Sequence, residues 1–331
     1  MSTDIPLRDG VVLPGTMVDS MLGLADTRYT PAWFDALPAM VAAWCERWGI
    51  TLVPEIPTLT YTVVLFGHSA SEGEVVLKLA PAEMEFDAEI AGLARLQGPG
   101  VVRLIHADPV AAGMLMERVR PGTPLRAFDD RIDDVTATTI GARMLRRIWK
   151  DAPDAPGNLI PLQRWFRDLF RIHDQLRGGR VDLPYSAASV AFAIECANAL
   201  LATTNPVVLH GDMHHGNILE NEAGDWTVID PKGLIGDRAY DVGTWMLNGW
   251  PDNEPGDAAS IVRRRVETFA QELALSREQV LIGVIVHCAL CAAWSTVDTT
   301  PEQQEADRWL ANTLRTWEIA ERMADEAGMR R

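Results

Sequence analysis

The stretch LHGDMHHGNILENEAGDWTVIDPKG, Leu209 to Gly233, limits what this chain can fold into more than any other part of it. Two short apolar runs, GNILE and WTVID, flank NEAGD, whose Asn, Gly and Asp suit a chain reversal. A reversal there brings Asp230 back to Asn217, so both stand at one mouth. Asp212 precedes Asn217 by five residues in a loop rich in glycine and histidine. An amide oxygen and a carboxylate are hard ligands that suit Mg2+, which keeps waters and also takes phosphate oxygens. A second carboxylate, near the ion but not on it, can accept the proton of an incoming hydroxyl. Phosphoryl transfer needs this division of labour: positioning, charge neutralisation and a base. The bland alternative is a turn-rich hairpin with incidental polar residues.

D-x-x-x-x-N, with an aspartate thirteen residues beyond the asparagine, matches the catalytic loop and metal aspartate of protein kinases. The match makes demands upstream. Lys78, in the apolar strand EVVLKLA, is the only lysine before Lys150, and an idle ammonium there would be costly. A helical glutamate should pair with it. Glu89 is expected to do so, with Glu85 as its rival one turn earlier. A hinge should meet the adenine of ATP through its backbone, and LMERV fits, with Glu117 and Val119 as the contacts. No G-x-G-x-x-G loop is present, so Thr58, Thr60 and backbone amides are expected over the phosphates instead.

With 331 residues and 47% hydrophobic content, the chain suits two lobes of a globular protein. The expected architecture is α+β. Residues 1–118 would form a β-rich nucleotide-binding lobe behind a helical extension, and 119–331 a larger helical lobe carrying the catalytic loop. Thr30-Pro31 reads as a helix start, with Pro38 kinking that helix or delaying it. Neither a membrane span nor a secretory signal is expected. The four cysteines read as reduced, buried thiols, HCALC included, which suits a cytoplasmic protein. A net charge of −16 argues against nucleic acid; the acidity serves solubility or, on the sharper reading, lines a cleft for a cationic substrate.

The chain resembles the aminoglycoside/hydroxyurea phosphotransferases over roughly residues 50–300. The likeness rests on TYTVVLFG, VVLKLAP, AEIAGL, VVRL, MLMERV, LHGDMHHGNIL, WTVIDPKGLIGD and CALCAAW. It is nearest the streptomycin-type branch. The resemblance implies a protein-kinase-like fold and ATP-dependent phosphorylation of a hydroxyl. Asp212 would be the base, with Asn217 and Asp230 on Mg2+. Acceptor recognition falls to the helical lobe, where TWMLNGWPDNEPGD and AAWSTVDTTPEQQEAD mix tryptophans with acids. His210 and Asp241 are expected to hold the catalytic loop. Trp245, Trp250, Asp252, Glu254, Trp294, Asp298 and Glu302 are the expected acceptor wall for a cationic sugar, and His215 either borders the substrate or packs the loop. Two alternatives remain: a metabolic small-molecule kinase of the same fold, and a kinase-like protein that only binds.

Overall fold

The computed structural model describes residues 2–23, 29–56, 62–125, 132–152, 157–179, 183–250, 257–296 and 307–330. The chain opens with a small hairpin, β1 (Ile5–Pro6) and β2 (Val12–Leu13), then α1 (Gly15–Leu22) and α2 (Pro31–Trp48). Thr30 caps α2 by accepting the Trp33 N–H, and Pro31 takes the first helical position. The helix neither starts late nor stops at Pro38. Phe34, Leu37, Val41 and Trp44 form one continuous buried face across the proline, and that burial offsets the missing hydrogen bond.

Five antiparallel strands follow: β3 (Ile50–Leu52), β4 (Val63–Ser69), β5 (Gly73–Leu79), β6 (Leu104–Asp108) and β7 (Gly113–Glu117), in the order β3-β4-β5-β7-β6. Strand alternation splits their side chains between two faces. Val63, Leu65, Val75, Leu77 and Leu115 enter a core that the N-terminal segment closes with Leu13, Leu37, Val41 and Trp44. Val64, Phe66, Val76 and Lys78 face the opposite way, into a cleft. Helix α3 (Met84–Leu96) connects β5 to β6.

After Glu117 the chain changes texture. Strand β8 (Pro121–Pro124) leads to α4 (Asp134–Ile148), β9 (Lys150–Asp151), β10 (Ile160–Pro161), α5 (Leu162–Trp165), α6 (Arg167–Arg177) and α7 (Ala187–Leu201). Then come β11 (Val207–Leu209), the hairpin β12 (Ile218–Asn221) and β13 (Trp226–Val228), and β14 (Leu234–Gly236). Helices α8 (Gly243–Leu247), α9 (Ala258–Leu273), α10 (Arg277–Thr296) and α11 (Arg308–Glu326) complete the fold. Strand β8 pairs with β12, and β14 lies between β10 and β11.

Helix α10 is long and apolar enough to cross a membrane by composition, unlike the rest of the described chain. Its most apolar window is 78% buried against neighbouring helices, so core packing accounts for its composition. Cys45, Cys196, Cys288 and Cys291 are all free thiols inside the fold.

Candidate active site

The β12–β13 register pairs Ile218 with Val228, and the Ile229 N–H donates to the Asn217 carbonyl. The reversal therefore sets Asp230 just past the residue opposite Asn217. The Asn217 amide nitrogen donates to the Asp212 carbonyl at 2.9 Å, which leaves the Asn217 Oδ1 to accept. Asp230 takes a left-handed backbone, φ 57°, a conformation aspartate tolerates better than most residues.

The catalytic loop is held from beneath. Asp241, buried in the short helix of residues 238–242, accepts the N–H groups of His210 at 2.9 Å and Gly211 at 2.6 Å, together with the Trp149 indole at 2.8 Å. Burial pushes its carboxyl up to about 6 despite those three donors. His210 spans the loop: Nε2 donates to the Ile229 carbonyl at 2.9 Å and Nδ1 accepts the Asp212 N–H at 3.2 Å. Burial holds its pKa down at about 4, so the ring is neutral, as this pattern of one donor and one acceptor requires.

Lys78 reaches down from β5. Its Nζ lies 2.6 Å from Glu89 on α3 and 3.2 Å from Asp230. Burial alone would lower the pKa of this ammonium, but Asp230 and Glu89 outweigh it and hold it above the ordinary lysine value. Asp230 is densely surrounded by protein, which favours the neutral acid, yet Lys78 and Lys232 hold its pKa below the ordinary value. Its side chain stays 43% accessible, so it can take a further ligand. Glu85, the rival to Glu89, lies instead 3.9 Å from Lys232.

Two glycines explain how α3 comes close enough to do this. Gly233 has φ 61°, and a Cβ there would fall 1.8 Å from the Ala88 carbonyl oxygen. A Cβ on Gly92 would fall 2.8 Å from the Gly233 Cα. The helix and the turn after Asp230 thus touch backbone to backbone.

Above Asp230 lies a cavity of about 400 Å3. Val64, Phe66 and Val76 roof it, Leu219 and Ile229 floor it, and Glu117 and Val119 border it. Arg118 stacks on Phe66, its guanidinium carbon 3.7 Å from the ring centre, and bonds Glu55 at 2.9 Å. Sequence reading missed this wall, because neither residue carries a motif.

The expected acceptor wall is only partly assembled. Asp252, Glu254, Asp298 and Glu302 lie outside the described residues, as do Thr58 and Thr60. Trp294 is 39% exposed and meets the Trp165 ring edge-on at 5.3 Å. Trp250 is partly buried, with its indole N–H on the Met246 carbonyl at 3.1 Å. Trp245 is a correction. Its ring is wholly buried and pressed against Gly141, with its N–H on Thr138, so it offers no surface to an incoming molecule. His215 is a second correction. It is only 5% exposed and stacked 3.8 Å from Trp245, and among the described residues neither ring nitrogen has a hydrogen-bond partner. Burial lowers its pKa to about 3, and it packs the loop against α8 rather than bordering an open pocket. The fully buried Arg265 anchors the same block by donating to the carbonyls of Trp245, Asn248 and Gly249 and pairing with Asp134 at 2.8 Å. A buried arginine has no periodic signature that sequence reading could find.

The model of the family described as "Aminoglycoside/hydroxyurea antibiotic resistance kinase" matches residues 47–299. The chain belongs to this family. It is 28% identical to a streptomycin 6-kinase of Streptomyces glaucescens over 294 residues, covering 86% of this chain and 91% of that one. It is 31% identical to a hydroxyurea phosphotransferase of Kitasatospora aureofaciens over 312 residues, covering 89% of this chain and 84% of that one. A choline/ethanolamine kinase family protein from Mesorhizobium loti shares the fold, with a TM-score of 0.58 at 13% identity and 93% and 94% of the two chains covered. The protein is a phosphotransferase of protein-kinase-like fold, acting on a hydroxyl. The matched span begins where α2 ends, so α1 and most of α2 lie outside it.

Proposed function

We infer that the protein transfers the γ-phosphoryl group of ATP to a hydroxyl of a small cationic molecule, an aminoglycoside such as streptomycin. The observation that carries this reading is the Lys78 ammonium, set between Glu89 and Asp230 at the mouth of an apolar cavity. ATP fits there between the lobe of residues 1–118 and the lobe of residues 119–331. Its base lies between the Val64–Val76 roof and the Leu219–Ile229 floor and meets the Glu117 and Val119 backbone, which leaves its phosphates at Lys78. Glu89 keeps Lys78 from collapsing fully onto Asp230. Asp212 takes the acceptor proton, oriented through its own N–H on His210 and its carbonyl on Asn217.

The Asn217 Oδ1 and the accessible Asp230 carboxylate are a hard-oxygen pair that fits Mg2+. When bound there, that ion would neutralise phosphate charge. The acidic surface, at net charge −16, draws cationic acceptors to a cytoplasmic enzyme.

The hydroxyurea relative supports a second reading, a small neutral acceptor. Incubation with ATP and Mg2+ against streptomycin, hydroxyurea, choline and amino sugars, with product mass and phosphate position recorded, separates the two. Transfer to streptomycin with a KM that rises with salt supports the cationic reading. Transfer to hydroxyurea alone overturns it.

A further inference from the structure

One arginine on the wall of the cavity above Asp230 is buried with donors to spare. Arg118 stands between Glu117 and Val119, in the connection from β7 to β8. Its backbone N–H donates to the Glu74 carbonyl at 3.0 Å, which pins the connection to β5. Its side chain is only 10% accessible. The guanidinium carbon sits 3.7 Å from the centre of the Phe66 ring, a distance reached only over the ring face. Nη2 alone meets Glu55, donating to its two oxygens at 2.9 and 3.0 Å. Among the described residues Nε and Nη1 have no hydrogen-bond partner.

A guanidinium carries its N–H groups in one plane and has two flat faces. Burying it while most of those donors go unmet costs free energy. Phe66 covers one face and Glu55 takes one edge. The second face and the remaining N–H groups border the cavity that Arg118, Phe66 and Glu55 line together. The cation is thus held flat, from behind and from the side, against open space.

Strand register shows which end of the cavity this is. Val64 pairs with Lys78, and Phe66 pairs with Val76. Phe66 therefore lies two residues, about 7 Å, along the sheet from the lysine. On the other side of β5, Val76 pairs with Met116 and Val75 with Glu117, so the chain reaches Arg118 at that same far end. Lys78 and Asp230 meet at the near end, 3.2 Å apart. A nucleotide with its phosphates at Lys78 brings its base, and not its phosphates, to Arg118.

The geometry points to Arg118 as the residue that covers the nucleotide base, its guanidinium layered between Phe66 and the purine ring. The inference rests on the reading of this cavity as the nucleotide site. The contact is a cation–π contact in a largely desolvated place, and a flat, weakly hydrated guanidinium suits it better than an ammonium. Glu55 is a positioning residue that acts through Arg118: it fixes the plane of the guanidinium and balances its charge. Nucleotide affinity then divides along the cavity, with Lys78 at the phosphates and Arg118 at the base.

Calorimetric titration of the whole protein with ADP and Mg2+, without any acceptor, tests this. Arg118→Ala should raise the Kd of ADP about 3–10-fold, the scale of one cation–π contact. Arg118→Lys should recover little of the loss, and Glu55→Gln should cost less than Arg118→Ala. Inorganic tripolyphosphate, which has no base, should bind the wild type and Arg118→Ala alike. The loss should be equally large for ADP and for 2′,3′-dideoxyadenosine diphosphate. Unchanged ADP binding in Arg118→Ala, with circular dichroism showing an intact fold, overturns the inference. So does an equal loss for tripolyphosphate, which would mean that the whole cleft has shifted. A loss that vanishes with the dideoxy nucleotide also overturns it, by assigning Arg118 to the ribose. A wild type that binds no ADP overturns the nucleotide reading of the cavity itself, whereas ADP binding that ignores Arg118 overturns only the inference.

Discussion

At the scale of single residues, the geometry separates groups that look alike in sequence. Glu85 and Glu89 are one helical turn apart, and only Glu89 meets Lys78. Glu89→Gln should therefore impair use of ATP, raising its KM or lowering turnover by about 10-fold or more, the scale of a buried charge-assisted hydrogen bond. Glu85→Gln, at a loose 3.9 Å contact, should leave ATP kinetics within about 2-fold of wild type, as exposed ion pairs contribute little. Reversed outcomes would show that the wrong glutamate has been paired. Asp212→Asn keeps the backbone bonds to His210 and Asn217, which the side chain does not make. Nucleotide binding should survive it, while turnover drops about 10²–10⁴-fold, the usual scale for a lost general base. Single-turnover assays at saturating acceptor read that loss directly, and near-normal turnover would remove Asp212 from the role. Fixed spacings within one stretch made Asp212, Asn217 and Asp230 legible as neighbours, and Lys78 stood out as the one lysine in an apolar strand before Lys150. Trp245 and His215 misled because an aromatic or imidazole beside a catalytic loop serves packing and binding equally well in a linear sequence. Only their burial separates the two uses.

At the scale of elements, the contact between α3 and the turn after Asp230 sets how Lys78, Glu89 and Asp230 meet. A methyl group at Gly233 would strike the Ala88 carbonyl oxygen at 1.8 Å and would also demand a left-handed alanine. Gly233→Ala should push α3 away, cost about 1–3 kcal/mol of stability and raise the ATP KM more than the acceptor KM. Thermal unfolding and paired KM measurements check this, and a variant with wild-type values for both would show that the contact is incidental. The long elements were legible because their periodicity extends over many residues, as in α4, α7, α9 and α10, whose ends lie within two positions of the 133–150, 186–203, 257–274 and 277–297 that the sequence texture predicts. Two-residue strands such as β1, β2, β9 and β10 were not, because a pair of residues carries no period. Nor could the sequence say where the N-terminal extension packs. Its apolar positions showed that it had a buried face, and only the structure shows that face sealing the outer side of the five-stranded sheet.

At the scale of the whole molecule, several neutral histidines are buried together in the lower lobe, and their shared titration sets how the fold answers acid. Burial lowers His210 to about 4, His215 to about 3 and His287 to about 4, against an unfolded value of about 6.5. Below about pH 6.5 the unfolded chain takes up protons at these positions that the folded protein refuses, so stability falls with pH down to about 4. Each histidine contributes a slope of up to about 1.4 kcal/mol per pH unit. Asp241 has the opposite sign: burial raises it to about 6, so between its ordinary value of 3.8 and about 6 the folded state holds the extra proton, and acidification restores stability. Asp230, held below the ordinary range, adds to the acid loss only at lower pH still. His214 is lowered by burial as well, and Glu89 and Glu321 are raised, so four histidine slopes stand against three raised carboxyls, and the large histidine shifts, to about 4, 3 and 4 for His210, His215 and His287, leave a net loss. The urea midpoint should therefore fall steadily from pH 7 to pH 4.5, and His287→Gln, which removes one titrating ring from the core, should flatten that slope by about a third to a half. A midpoint that stays level or rises over that range would mean that these rings are charged or solvated in the folded protein. It would also remove the neutral imidazole on which the support of the loop by His210 depends.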